Sequence, residues 1–280
     1  MERSLSPPIV NDNIAPRPKK DSKLSLPPHF TTRASAKNLQ TPSVTGKIMI
    51  EDPPILTVQR DVTRAPEATV AAFKGVATSN LIDALGGTGA LQHSIKPLGV
   101  ADGLPFKFCG SAVTALCGPS DNLALFAALS LAGPGDVIVA GTEAFEGAAV
   151  AGDLVLGMAR NKGVAAFVTD GMLRDYEAIL QVGLPVYCAG LTPNSPSRTG
   201  PGAVNLPLAI GGLVIEPGDI LAGDRDGVVV IPRTRSESVK AALPALLAAE
   251  QELLSKVEEG LTVPGHTEAL MASDRVKYLD

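Results

Sequence analysis

Between residues 113 and 190 the chain alternates short apolar runs with amphipathic stretches closed by glycine, and no other feature restricts its fold as strongly. FCGSAVTALCG, rich in small and β-branched residues, reads as a buried strand ending at Gly118. DNLALFAALSL predicts a helix with Asp121 near its N-terminus, where a carboxylate suits the positive end of the helix dipole. GPGDVIVAG is a turn entering a strand, and GDLVLGMARNKG is a helix closed by Gly163. VAAFVTDG is a strand and turn, LRDYEAILQVG a helix closed by Gly183, and LPVYCAG another strand. Strands and helices alternating at this spacing predict α/β units.

The flanks have other textures. Upstream, APEATVAAFKGVATSNLIDAL reads as helices, with Pro66 suited to a first turn. Downstream, VNLPLAIGGLVIEPGDILAGDRDGVVVIP has short strands separated by Gly-Gly, Pro-Gly-Asp and Asp-Gly turns. SESVKAALPALLAAEQELLSKVEEG predicts a last helix ending at Gly260, which Pro244 should kink or interrupt. The first stretch is rich in Pro, Ser, Thr and Lys, with eight basic against three acidic residues through Lys47. Such composition buries too little apolar surface to offset its ordering entropy. The expected organisation is therefore an irregular extension over residues 1–60, one domain over 61–264 and a tail over 265–280.

Charge and composition exclude several functions. A net charge of −5 argues against nucleic acid as a partner, and no apolar run reaches the ~20 residues of a membrane helix. Three cysteines with no C-x-x-C pair imply neither a disulfide framework nor a structural zinc site, so a reducing, cytoplasmic setting is expected. Cys109, Cys117 and Cys188 all sit in apolar surroundings and read as buried and inert. The three histidines are scattered, which leaves no histidine-based triad or zinc site to build on.

Chemistry concentrates between residues 147 and 175. GAAVAGDLVLG places Gly152 and Asp153 where a loop enters a helix, so the Leu154 and Val155 amides can face a ligand carboxylate. Asp153 alone could equally be an N-cap. TDGMLRDYE puts Arg174 and Asp175 after a buried strand, at the carboxyl end where α/β folds bind ligands. Arg offers a planar donor fork and Asp a hard oxygen ligand, which suits an anion and a hard cation side by side. The pair could also be an ordinary surface or capping feature. GDRDGVVVIP is a charged tight turn, most simply structural.

Asp153 and Arg174 have twenty residues between them, and Asp175 follows at once. This D-x20-R-D arrangement resembles the signature of the 4-hydroxy-4-methyl-2-oxoglutarate aldolase family, which also includes the regulator of ribonuclease activity A. GSAVTA with DNLAL, GPGDVIV, GDLVLGMA, GVAAFVTDGMLRD, GLPVYCAG, GAVNLPLAIGG and PGDILAGDRDGVVVIP match in the same order, over roughly residues 71–260. The resemblance implies a layered β-β-α domain of swivelling-domain type with a C-terminal helix. It also implies a homotrimer, or a hexamer built as a dimer of trimers, with the site shared between subunits.

By the same resemblance Asp175 would ligate Mg²⁺ or Mn²⁺, and Arg174 would hold the 2-oxo group of pyruvate and stabilise its enolate. Gly152 and the Leu154 and Val155 amides would take the carboxylate, and Asp153 would orient a proton-shuttling water. Glu250, or else Glu252, would reach the metal site of an adjacent subunit. Arg198, in TPNSPSRTG, lies where a basic side chain could meet a second substrate carboxylate. The implied activity is class II aldol cleavage of small 2-oxo acids to pyruvate, with oxaloacetate decarboxylation through the same enolate. Lys162, beside a helix-closing glycine, is a poor former of a Schiff base. The alternative is a non-enzymatic regulator that binds a ribonuclease or helicase. A quinone-precursor methyltransferase, a label the family has carried, would want a Gly-rich nucleotide loop that the sequence does not offer.

Overall fold

The computed structural model describes residues 54–279, so nearly all of the expected N-terminal extension lies outside the described residues. The described chain enters through β1 (Leu56–Val58), α1 (Glu67–Phe73), α2 (Thr78–Ala84) and β2 (Lys96–Pro97). Next come β3 (Phe108–Leu116), α3 (Leu123–Leu131), β4 (Asp136–Gly141), β5 (Ala149–Ala151) and α4 (Asp153–Asn161). They are followed by β6 (Ala166–Thr169), β7 (Met172–Leu173), α5 (Tyr176–Val182), β8 (Val186–Cys188) and β9 (Gly190–Leu191). The β-rich part holds β10 (Gly202–Val204), β11 (Leu208–Ile210), β12 (Leu213–Ile215), β13 (Ile220–Asp224) and β14 (Gly227–Ile231). Two helices, α6 (Ser236–Glu258) and α7 (Gly265–Met271), close the chain.

Strands β3, β4, β6 and β8 form the parallel centre of a nine-stranded sheet, as the glycine-punctuated rhythm predicts. Their side chains alternate between two cores, the period-2 pattern of a sheet buried on both faces. Val113, Ile138, Phe167 and Val186 face one core, where α3, α4 and α5 contribute Leu125, Leu156 and Ile179. Ala112, Val137, Val139, Val168 and Tyr187 face the other, which the β11–β12 hairpin covers with Leu208, Ile210 and Ile215. Helices, main sheet and β-hairpin are thus stacked in the β-β-α order expected. Each large side chain sealed in these layers stabilises the fold by about 1.5–3 kcal/mol. A third core joins α1, α2 and α6 to β13 and β14 through Phe73, Leu81, Val229 and Leu243.

The short strands β5, β7 and β9 form a separate parallel three-stranded sheet. Each follows a strand of the main sheet, and two lead into the next helix, so the β–α units are really β–β–α units. The sequence reading starts a helix at Leu173, yet Met172–Leu173 form β7 and α5 begins only at Tyr176; a two-residue strand is too short to show any periodicity. Both expected domain limits fall beside further structure. β1, just before residue 61, pairs with β10, and α7 begins at Gly265.

Of the two effects expected of Pro244, a kink or an interruption, the interruption does not occur: α6 runs unbroken for 23 residues. Pro244 lies on an exposed face, where its ring meets solvent and not the core, and Lys240, whose carbonyl loses its i+4 partner, is only half-buried. Among the described residues no helix is long and apolar enough to cross a membrane.

Candidate active site

The site forms where the small parallel sheet ends. Strand β5 runs out at Ala151 into Gly152, β7 at Leu173 into Arg174 and Asp175, and β9 at Leu191 into the loop carrying Ser195 and Arg198. Backbone bonds fix this convergence: Arg174 N–H donates to the Ala151 carbonyl (3.2 Å), Thr192 N–H to Leu173 (2.8 Å) and Ala149 N–H to Asn194 (2.9 Å). Three neighbouring strand ends therefore deliver residues separated by more than forty positions to one cleft of about 240 Å³. Gly152, Asp153, Leu154, Val155, Arg174, Asp175 and Arg198 all line it. A second hollow of about 260 Å³, beside Tyr176 and Thr192, shares Arg174 and Asp175 as its common wall.

Gly152, not Asp153, is the N-cap of α4, and Asp153 is the first helical residue. The capping role open to Asp153 from sequence is therefore not the one it plays, and its carboxylate borders the cleft. The first intrahelical bond returning to the cap is Leu156 N–H to the Gly152 carbonyl (3.1 Å), which leaves the Leu154 and Val155 amides without helical acceptors. Glycine at position 152 permits a close approach. A Cβ there would stand 2.4 Å from Asp175 Oδ2 and 3.2 Å from Arg174 Cγ. The missing side chain lets the start of α4 sit directly against the Arg–Asp pair.

Asp175 occupies the N-cap position of α5 in a left-handed conformation (φ 64°, ψ 46°), yet its side chain makes no capping bond. A non-glycine residue held there costs on the order of 1 kcal/mol or more, a strain typical of functional positions. Its Oδ2 lies 3.2 Å from Arg174 Nε, and the two side chains are 43% and 37% exposed, open enough to meet a ligand. Arg174 Nη1 donates to Ser195 Oγ (2.5 Å), so the guanidinium is held at two points. Arg198 stacks its guanidinium 4.4 Å from the centre of the Phe126 ring, and both line the same cleft. Ser195 and Phe126 are contributions the sequence reading missed; Ser195 lies in the Pro-flanked loop after a strand, the place to look.

Among the described residues no group of three or more His, Cys, Asp or Glu could cage a metal. Asp153 and Asp175 are the carboxylates that line the cleft, and so small a donor set fits an ion such as Mg²⁺ that keeps most of its own water. Glu250 and Glu252 do not line the cleft of their own chain. Glu250 accepts from Asn80 Nδ2 (2.8 Å), against α2, and Glu252 pairs with Lys256 at 2.5 Å, which holds its carboxyl below the ordinary range. Lys162 caps the far end of α4, where Nζ donates to the Ser130 carbonyl. Burial pushes all three cysteine thiols up to about 12, which keeps them protonated and unreactive.

Fold and site together define a layered α/β protein with a cleft lined by arginine and aspartate at the edge of a small parallel sheet. The chain belongs to the RraA-like family, described as Aldolase/RraA, whose family model matches residues 78–230. A relative from Halalkalibacterium halodurans is 42% identical over 167 residues, 60% of this chain and 78% of its own length. One from Ectopseudomonas mendocina is 30% identical over 146 residues, covering 52% of this chain and 90% of its own. Both carry the provisional name 4-hydroxy-4-methyl-2-oxoglutarate aldolase. The solved RNA-processing inhibitor RraA from Thermus thermophilis is 27% identical, with a TM-score of 0.51 over 56% of this chain and 93% of its own.

Proposed function

We propose that this chain is a divalent-metal-dependent aldolase that cleaves 4-hydroxy-4-methyl-2-oxoglutarate-type 2-oxo acids to pyruvate and also decarboxylates oxaloacetate. The observation that carries this reading is the contact of Arg174 and Asp175 with the glycine-started helix α4. It sets a donor fork, a hard carboxylate and two free amides around one cleft. The names of the relatives point the same way.

In this reading the substrate carboxylate lies on the Leu154 and Val155 amides, where the helix dipole favours negative charge. Asp175 would hold Mg²⁺ or Mn²⁺, and the bound ion would act as a Lewis acid on the 2-oxo group. The Arg174 fork donates to the 2-oxo oxygen and stabilises the charge that develops as the C3–C4 bond breaks. Asp153 receives the C4 hydroxyl proton through a water and returns it to C3 of the pyruvate enolate. Loss of CO₂ from oxaloacetate leaves the same enolate, so the same residues serve it. Glu250 would complete the site of a neighbouring subunit in a trimer or hexamer. Its position on the outer reach of α6, away from its own cleft, supports that assignment. Purified protein supplied with Mn²⁺ should release pyruvate from 4-hydroxy-4-methyl-2-oxoglutarate and CO₂ from oxaloacetate. Neither product forming would end the proposal.

A further inference from the structure

The loop bearing Arg198 is exposed along most of its length, yet one buried carboxylate fastens it. Asp121, 6% exposed, stands just before α3. Its Oδ2 accepts from Thr199 N–H (2.6 Å), Gly200 N–H (3.1 Å), Ser197 Oγ (2.9 Å) and Thr199 Oγ1 (3.3 Å). Oδ1 accepts from Leu123 N–H at the entrance of α3 (2.8 Å). Backbone bonds from Asn122 N–H to the Ser197 carbonyl (3.1 Å) and from Ser197 N–H to Ser120 (2.7 Å) add to the clamp. Burial opposes ionisation of Asp121, but these donors outweigh it and hold its carboxyl below the ordinary range. Arg198 sits between the clamped residues Ser197 and Thr199, and α3 also supplies the Phe126 ring beneath its guanidinium. Among the described residues no carboxylate lies within 4.0 Å of Arg198. A guanidinium without a carboxylate partner is thus held at a set place in the cleft that Gly152 and Arg174 also line.

We propose that Asp121 is a positioning residue that fixes Arg198 to receive the distal carboxylate of a two-carboxylate 2-oxo acid, and so sets the preference for such ligands. The proposal rests on the reading of this cleft as a 2-oxo acid site. Asp121 touches no ligand; it acts by removing the freedom of the 197–200 loop, because a pre-placed fork loses less entropy on binding.

The test is calorimetric titration in Mg²⁺ with two unreactive probes, 2-oxoglutarate and 2-oxopentanoate, which differ by a methyl group in place of the distal carboxylate. Wild type should prefer 2-oxoglutarate, by about tenfold or more if the contact is a charge-assisted pair. Asp121→Asn should reduce that preference several-fold, and Arg198→Ala should abolish it. Adding the first change to the second should have no further effect, as expected for residues acting through one another. Ser197→Ala, which removes one donor, should lower the preference more mildly and serves if Asp121→Asn does not fold. An unchanged preference in a folded Asp121 or Ser197 variant, or equal binding of both probes by wild type, overturns the proposal. A general loss of structure weakens both probes alike and leaves their ratio intact. Turnover is not read, so a failed pyruvate assay would end the aldolase reading without touching this result.

Discussion

Residue by residue, the site is held together by close contacts that spacing alone does not show. Arg174 has its planar fork tied between Asp175 and Ser195, so Arg174→Lys should lower kcat/KM for pyruvate release about 100-fold while leaving Tm near wild type. Steady-state kinetics beside calorimetry check this, and a lysine variant at full activity would show that bidentate donation is unnecessary. Gly152→Ala places a methyl 2.4 Å from Asp175 Oδ2, so the carboxylate must turn away. Mn²⁺ binding, followed by the loss of the free-ion paramagnetic signal, should weaken about tenfold or more, the effect of disturbing an orienting contact at a metal site. That Asp153, Arg174 and Asp175 come together was legible because their spacing survives in the linear sequence. Ser195, Phe126 and Asp121 were not, because their roles depend on which strand ends become neighbours.

Elements carry a second group of aspartates that look alike in sequence and do different work. Asp224, in the GDRDG turn, accepts from the Thr78 N–H and hydroxyl and so fastens α2; Asp136 takes both Arg64 Nε and Nη2. Burial raises Asp121 and Asp224 first, but their hydrogen bonds prevail and both folded carboxyls lie below the ordinary 3.8. A depressed carboxylate contributes stability that is complete above the unfolded value and lost as pH falls through the folded one. Asp219, lifted chiefly by burial, works in the opposite sense but is single. Tm should therefore be flat above about pH 5 and fall steeply below pH 4, and Asp121→Asn should flatten the acid limb. Scanning calorimetry across pH decides it. The β–α rhythm and the two glycine-closed helices were readable from periodicity. The extent of α6 was readable too, but not its continuity through Pro244, which depends on that residue lying on an exposed face. Removing it should help, so Pro244→Ala should stabilise the chain by about 1–3 kcal/mol in denaturant titration.

At the scale of the whole molecule, the outer half of α6 has little support from its own chain. Only Ser236, Val239 and Leu243 of its 23 residues are buried, while Leu253, Leu254 and Val257 are each about half exposed. Leu154 (72%) and Met158 stand equally uncovered on α4 beside the cleft. Apolar surface gathered on a protruding helix and at a site rim is what a subunit interface would cover. Light scattering should then give a trimer or hexamer, and Leu254→Glu should lower both the mass and the activity. A fully active single chain would remove Glu250 from the account. The central claim is narrower: Asp175 holds the ion on which catalysis depends. The measurement that reaches it most directly is the initial rate of pyruvate release from 4-hydroxy-4-methyl-2-oxoglutarate by wild type and Asp175→Asn across a Mn²⁺ titration begun from chelated protein. The account predicts a wild type silent without metal and restored by it, and a folded Asp175→Asn variant at least about 100-fold slower at every Mn²⁺ concentration. A wild type indifferent to chelation, or a variant that matches it, would contradict the account.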